Sequence, residues 1–580
     1  MVINFESIKV KSSVLSIKYF TLLPEYFLAV CCIYTLIVCV VVYKKASLNP
    51  EDDINYYQKP LSNCLAVVCF MSCYLVINEE SLFTFTSLIN DTTFSDYLSF
   101  FSKACVCFFS GFYFLFIADT LKDQLISSFE YLLILIFCLI GLLLLCSSND
   151  FLTIYLALEM SGLALTVAVA ARKDSIHSVE NGVTYFIVNA IASSILLLSI
   201  SYIHYMFGPI TLIDCYDFSV TNHDEITHFL YYPLGYISIL FGETVWQPVF
   251  PYNLFLGHYV EYLTYKFNYF HYNELKPRVI WLLASFFYDY DNSLAFLTLP
   301  YLLIFLSLSI KLGLAPFYVW SIDVYEGAPI NTSFFLGAIS KLGLFVLLVR
   351  FYSVTVFMVA CNDTFKEYLF LMGFLSVFVG AFGGLKQKKL KSLLAYSSLS
   401  HMGYAIMMLG IDEHCIEITL FYMITYVISS FCTWPVLLFT RLKTKTTHRY
   451  VRYLGDIALL NKSNKSLAFV TSVAMFSLAG IPPLLGFYAK FTVLMPLILS
   501  YHFFIVFFIL LFSVVSSFYY LRVIKIMYFE NSLVGNLYYP LKSEKTLILS
   551  GFALSLIFFF IKPTILLYLC DCAVLGSLPV

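Results

Sequence analysis

Fourteen apolar stretches, each long enough to cross a lipid bilayer, punctuate this chain of 580 residues. They lie near 27–43, 61–78, 99–118, 131–147, 150–170, 183–207, 297–320, 328–349, 368–385, 392–410, 415–440, 467–490, 494–520 and 547–569. A spanning helix needs about 20 predominantly apolar residues. Inside hydrocarbon, only helices and closed barrels satisfy every backbone N–H and C=O. Runs of this length and continuity predict an all-α polytopic membrane protein with about fourteen transmembrane helices. Charged residues make up 12% of the chain, against about 25% in soluble domains, too few to cover a water-facing surface. Soluble enzymes and disordered chains are excluded. With a net charge of −2, nothing draws the chain to nucleic acid.

The loops test the span count independently, because cytoplasmic or matrix loops collect Lys and Arg. Odd-numbered loops hold Lys44, Lys45 and Lys59, then Lys122, Arg172 and Lys173, then Lys386, Lys388 and Lys389. Further along they hold Arg441, Lys443, Lys445, Arg449, Arg452, Lys462 and Lys465, and finally Arg522, Lys525, Lys542 and Lys545. Even loops, one long insertion aside, hold only Arg350 and Lys366. Both termini are therefore expected on the outer side, with Lys9, Lys11 and Lys18 a mild exception and no removable leader. The insertion, 208–296, is rich in Tyr and Phe, and its two apolar pieces near 229–241 and 279–287 are too short to span. It reads as an aromatic-rich segment at the outer interface. The 16 cysteines mostly sit in apolar runs and read as small packing residues. The C-x-C pairs Cys105/Cys107 and Cys570/Cys572 would point about 200° apart on a helix and cannot chelate together. Abundant Phe and Tyr beside only 4 Trp hint at an AT-rich, organellar gene.

Four charges lie within or beside the spans: Glu159, Lys311, Lys341 and Lys490. At about 2.5–3.5 kcal/mol each, they imply roughly 10 kcal/mol of insertion cost. Snorkelling or a static pair would account for a lysine near a helix end, and Lys490 is nearest one. Glu159 and Lys311 are deeper and point to function. Pro316 falls inside the seventh span and Pro482 and Pro483 inside the twelfth. Proline removes a backbone donor, so discontinuous helices are predicted at both places, each with a lysine within about two turns. Broken helices at corresponding positions mark inverted-repeat transporters, which makes spans 4–8 and 9–13 two five-helix repeats. A buried Lys beside a Glu titrates as a coupled pair, so moving one charge shifts a proton on the other. Isolated lysines suit protons better than sodium, which wants several oxygen ligands at one site.

His401 sits among Ser397, Ser398 and Ser400 and is either a packing histidine or a water-chain member between two lysines. Lys391, at the mouth of the same helix, is either a positive-inside residue or part of the axis. Asp323 and Glu326 read as a solvated turn.

The stretches SSNDFLTIYLALEMSGLAL, KLGLAPFYVWSIDVYEGAP, KQKKLKSLLAYSSLSHMGY and MFSLAGIPPLLGFYAKF resemble, in that order, the proton-pumping membrane subunits of respiratory complex I. Among the antiporter-like subunits the chain is most similar to the subunit 2 family (subunit N in bacteria). Three features separate it from related subunits: LEMSGLAL in the fifth span, Lys490 in the twelfth, and an end one span after Tyr520. The resemblance implies fourteen helices in two inverted repeats, with Glu159 coupling to the neighbouring pump and Lys311 as the first-half protonatable lysine. Lys341 would connect toward the centre, His401 would lie on the axis, Lys391 would match the family's lysine beside LLAYSS, and Lys490 would be the second-half lysine. One position departs: Thr184 stands where the family carries lysine, and Lys173 lies too far outside to replace it.

The chain divides accordingly into 1–129 (spans 1–3), 130–207 and 297–350 (first repeat), 208–296 (outer insertion), 351–530 (second repeat) and 531–580 (span 14). The family implies a proton-translocating subunit of NADH:ubiquinone oxidoreductase in the mitochondrial inner membrane, organelle-encoded. FMN, iron–sulfur clusters, NADH and ubiquinone would be bound by other subunits, with no cofactor or metal in this chain. Its partners would be the other membrane subunits of the complex, with accessory subunits or lipid at 208–296. A cation/proton antiporter subunit, or a structural subunit whose charges merely pack, are the alternatives.

Overall fold

The computed structural model describes residues 22–48, 55–78, 86–88, 92–124, 126, 129–172, 174–207, 212, 290–357, 362–411, 415–443, 448–530 and 541–575. Most of the 208–296 insertion, and Lys173, lie outside them. Helices α1 (Leu23–Leu48), α2 (Asn55–Asn78) and α3 (Tyr97–Ile117) come first. They are followed by α4 (Glu130–Ser147), α5 (Phe151–Val169), α6 (Ile176–Phe207), α7 (Tyr290–Leu312), α8 (Val319–Gly327) and α9 (Ile330–Phe357). The second half holds α10 (Asn362–Leu385), α11 (Leu390–Leu409), α12 (Ile416–Phe439), α13 (Lys465–Ala479), α14 (Leu485–Leu499), α15 (Phe503–Tyr528), α16 (Ser543–Ile561) and α17 (Thr564–Leu575). Two hairpins of three-residue strands, Thr86–Leu88 with Thr93–Ser95 and Arg441–Lys443 with His448–Tyr450, are the extended elements among the described residues. Eleven of the described helices are long and apolar enough to cross a membrane. The chain is an all-α, multi-pass membrane protein.

Helices that are apolar all round belong in the interior. α12 is buried continuously from Thr419 to Phe439, and α11 throughout except at Lys391 and Tyr396. α10 lies against α11 at backbone distance: a Cβ on Gly380 would fall 2.7 Å from the Ser400 amide nitrogen. Small residues admit such approach where lipid gives helices no hydrophobic drive to associate. α1, α2 and α16, by contrast, keep large apolar side chains exposed, as lipid-facing helices do.

Both expected helix breaks are present. α7 ends at Leu312 and α8 starts at Val319; α13 ends at Ala479 and α14 starts at Leu485. At 15 residues each, α13 and α14 are about 22 Å long, shorter than the ~30 Å hydrocarbon core. The two breaks share one construction, Gly-x-x-Pro, as Gly313–Pro316 and Gly480–Pro483. Each glycine is left-handed, φ 69° and 79°. Behind each, the helix closes in a Schellman turn, with Gly313 and Leu314 donating to Ile310 and Ser309, and Gly480 and Ile481 donating to Ser477 and Phe476. The peptide bonds before Pro316 and Pro483 are both cis.

Arg350, expected in a loop, is inside the bundle. α9 runs on to Phe357 and carries Arg350 to the start of α3. There its Nη2 donates to Asp96 Oδ1 at 3.0 Å and to the Cys146 carbonyl at 2.9 Å. Asp96 also caps α3, accepting from the Ser99 amide at 2.9 Å. A second interior pair, Lys103–Glu25 at 2.6 Å with both side chains 5% exposed, joins α1 to α3. Lys103 lies inside an apolar run like the other four charges and escaped the same reasoning. Removing one member of a buried pair costs about 3–5 kcal/mol. Arg350→Met is therefore expected to lower the temperature at which the buried cysteines react with a thiol dye. Adding Asp96→Asn, which keeps the cap, should recover most of that loss.

Candidate functional site

The charged residues inside the bundle lie where α7 faces α5, where α9 meets α11 and where α14 meets α11. Lys311, in the last turn of α7, faces Glu159 on α5 with 3.7 Å between Nζ and Oε1. Neither atom makes a hydrogen bond. A small cavity adjoins them, lined by Lys311, Ser161, Tyr185, Asn189, Trp320 and Ser340 among others. Ser340 is the chain neighbour of Lys341, so this space lies between the first lysine and the backbone of the next.

Lys341, buried on α9, donates to Ser398 Oγ on α11 at 3.0 Å and lies 5.7 Å from the centre of the Tyr325 ring. One turn along α11, His401 places Nδ1 2.7 Å from Tyr422 Oη and Nε2 3.2 Å from Tyr520 Oη. Tyr519 Oη donates to Tyr520 Oη at 3.4 Å. One turn further, Tyr404 presents its ring 5.7 Å from Lys490 Nζ. Lys490 donates to the Ala479 carbonyl at 2.9 Å, so it serves the end of α13 from the far side of the break. On α7 the corresponding service comes from Trp320, whose Nε1 donates to the Ile310 carbonyl at 3.1 Å.

The structure thus brings Glu159 and Lys311 into one pair, and strings Lys341, His401 and Lys490 along α11 through Ser398 and Tyr404. Pro316, Pro482 and Pro483 lie in the two breaks. Lys391 stands half-buried at the start of α11. Its Nζ reaches the carbonyl of Ala328 and, at 3.5 Å, that of Glu326, tying the start of α11 to the end of α8. Glu326 pairs with Lys389, while Asp323 is exposed. Around His401, Ser397, Ser398 and Ser400 each donate back to their own helix. Its partners are tyrosines from α12 and α15, which no local pattern announces. Thr184 donates to the Asn181 carbonyl and is not among the cavity-lining residues; α6 brings Tyr185 and Asn189 there instead.

Titratable groups held at depth beside two interrupted helices define a membrane subunit built to keep charge away from water. Comparison with known proteins names the family. Residues 148–259 and 279–516 match the family model described as NADH:quinone oxidoreductase/Mrp antiporter, TM. The chain is similar to NADH-quinone oxidoreductase subunit N of Paramagnetospirillum magneticum, at 30% identity over 71% of this chain and 70% of that one. It is also similar to NADH-ubiquinone oxidoreductase chain 2 of Marchantia polymorpha, at 28% identity over 77% and 76%. A chain of respiratory complex I from Thermus thermophilus shares the fold with TM-score 0.65 and 20% identity, covering 94% of this chain and 98% of that one. A chain of the Mrp complex from Dietzia shares it with TM-score 0.66 and 13% identity over 96% of each. The chain belongs to the NADH:quinone oxidoreductase/Mrp antiporter transmembrane family.

The second break offers a direct test. A Cβ on Gly480 would meet Lys490 Cδ at 2.7 Å, on a backbone at φ 79°. Gly480→Ala should cost about 1 kcal/mol from the left-handed backbone alone. The measurement is the thermal midpoint for dye access to buried Cys432, compared with Gly551→Ala, where the added Cβ meets nothing within 4 Å.

Proposed function

We propose that this chain is the subunit-N (subunit 2) type membrane subunit of an NADH:ubiquinone oxidoreductase, moving protons along the line from Glu159 and Lys311 through Lys341, Lys391 and His401 to Lys490. The observation that carries this is the Glu159–Lys311 pair. At 3.7 Å with no hydrogen bond, beside a small cavity that Lys311 lines, it is held by charge alone. Such a pair opens when a third charge approaches, and a lysine losing its carboxylate in a dry site gives up its proton more readily. Lys341 waits beyond the cavity as the next acceptor, with Ser398, His401 and the tyrosine hydroxyls offering donors and acceptors in sequence toward Lys490.

Glu159 is placed to receive the triggering charge. It is 21% exposed and lies on one stripe of α5 with the exposed Leu152, Leu156, Leu163 and Val167. That apolar face suits contact with a neighbouring membrane subunit of the complex. Redox chemistry then belongs to the subunits that bind NADH, FMN, iron–sulfur clusters and ubiquinone, and energy reaches this chain electrostatically. The matching Gly-x-x-Pro breaks support spans 4–8 and 9–13 as inverted repeats. The lysine-rich loops support both termini facing the intermembrane space of a mitochondrion. Organellar synthesis predicts that labelling of the chain survives when cytosolic translation is blocked.

Replacing lysine by methionine removes the charge and keeps the stem. Lys311→Met with Glu159→Gln leaves no unpaired charge, so the complex should assemble and oxidise NADH on a native gel while proton transport into vesicles falls. If the double variant transports as the parent does, the relay through Lys311 is wrong. A chain that migrates in a smaller complex without NADH oxidation would instead favour the cation/proton antiporter reading, to which the Dietzia fold gives some support.

A further inference from the structure

We propose that Lys59, Lys542 and Lys545, gathered on Asp119 at the lysine-rich end of the bundle, form a binding site for the phosphate group of an anionic phospholipid. The cluster is assembled from three helices far apart in sequence. Asp119 follows α3, Lys59 lies in the first turns of α2, and Lys542 and Lys545 stand at and just inside the start of α16. Lys545 is the structural member. Its buried Nζ is 2.9 Å from Asp119 Oδ2, donates to the Phe116 carbonyl at 3.2 Å, and lies 4.8 Å from the centre of the Phe439 ring.

One lysine suffices to neutralise one carboxylate, yet two more converge on its other oxygen. Lys59 and Lys542 both place Nζ 3.1 Å from Asp119 Oδ1. Their side chains are 48% and 57% exposed, so each ammonium keeps donors beyond the one spent on Asp119. Burial alone would raise the Asp119 carboxyl, but Lys545, Lys59 and Lys542 hold it well below the ordinary carboxylate range, so it stays ionised. Glu544 also acts on Lys59, so among the side chains named here three ammonium groups meet two carboxylates. The start of α16 adds to the excess, because its N-cap residue, Lys542, gives no side-chain cap and the first-turn amides carry the positive end of the helix dipole.

The surroundings select a lipid over a dissolved anion. Lys59 stands at the head of an exposed apolar face of α2 that continues through Val67, Met71 and Tyr74, and Leu547 is exposed a turn into α16. A dissolved phosphate has no use for that surface, whereas acyl chains lie along it while the headgroup meets the lysines. Basic pockets between transmembrane helix ends recognise headgroups in this way.

The test uses the intact complex in vesicles of phosphatidylcholine containing a phosphatidylglycerol probe with a photoactivatable acyl chain. Labelling is expected on α2 and the start of α16, and Lys59→Gln with Lys542→Gln should reduce it about 30-fold at limiting probe, Lys545 and Asp119 being left intact. Lys59→Arg with Lys542→Arg should keep the labelling, which separates lost charge from lost folding. Equal labelling by a phosphatidylcholine probe, or no loss in the glutamine variant, would overturn the proposal. So would full competition by inorganic phosphate, which would make the site one for a free anion, or crosslinks at these helices that go only to another subunit.

Discussion

A helix broken inside a membrane releases carbonyls that no water is there to meet, and the arrangement of this protein follows from how those carbonyls are answered. At the second break the donor is Lys490, reaching back across the gap to Ala479. At the first it is the indole of Trp320 on Ile310, which leaves Lys311 free to face Glu159. The end of α8 is served by Lys391 on Ala328. Two of the lysines on the proposed path therefore also hold the backbone that makes the path possible, and α11, buried almost throughout, is the surface on which these pieces are set.

The charged pairs of the interior fall into two kinds. Arg350–Asp96 is closed by hydrogen bonds to the carboxylate and to a backbone carbonyl, and Lys103–Glu25 is in direct contact at 2.6 Å. Breaking either strands a charge in the interior, so both act as fixed joints, Arg350–Asp96 between α9 and the start of α3 and Lys103–Glu25 between α1 and α3. Glu159–Lys311 is looser, lacks hydrogen bonds and borders a cavity. The two kinds use the same residue types at similar depth. Geometry, not composition, separates a joint from a switch.

Much of this is legible in the sequence because lipid leaves few options. The all-helical, multi-pass character follows from apolar length, and the breaks follow from Pro316, Pro482 and Pro483, whose effect on the chain is local. The depth of Glu159, Lys311 and Lys341 follows from their position within apolar runs. What the sequence conceals depends on distant neighbours. Nothing near His401 announces Tyr422 or Tyr520, and the adjacent serines bond back to their own helix. Arg350 reads as a loop residue because α9 continues beyond its apolar stretch, and its partner Asp96 lies 254 residues away. The repeated Gly-x-x-Pro is a purely local signal, and it marks both breaks in the sequence.

Asp119 has a consequence for how the molecule is made. The contact of Lys545 with the end of α3 spans 429 residues, so an early part of the chain waits for one of the last helices to be synthesised before its charge is met. Until α16 enters the bilayer, the carboxylate at the end of α3 has Lys59 beside it but neither Lys542 nor Lys545, and Phe109, Phe112 and Phe116 lack the ring of Phe552 that they later pack against. The bundle is thus sealed from its C-terminal end. A chain stopped short of α16 would leave the aromatic edge of α3 without its Phe552 cover, which gives membrane quality control a physical mark of completion.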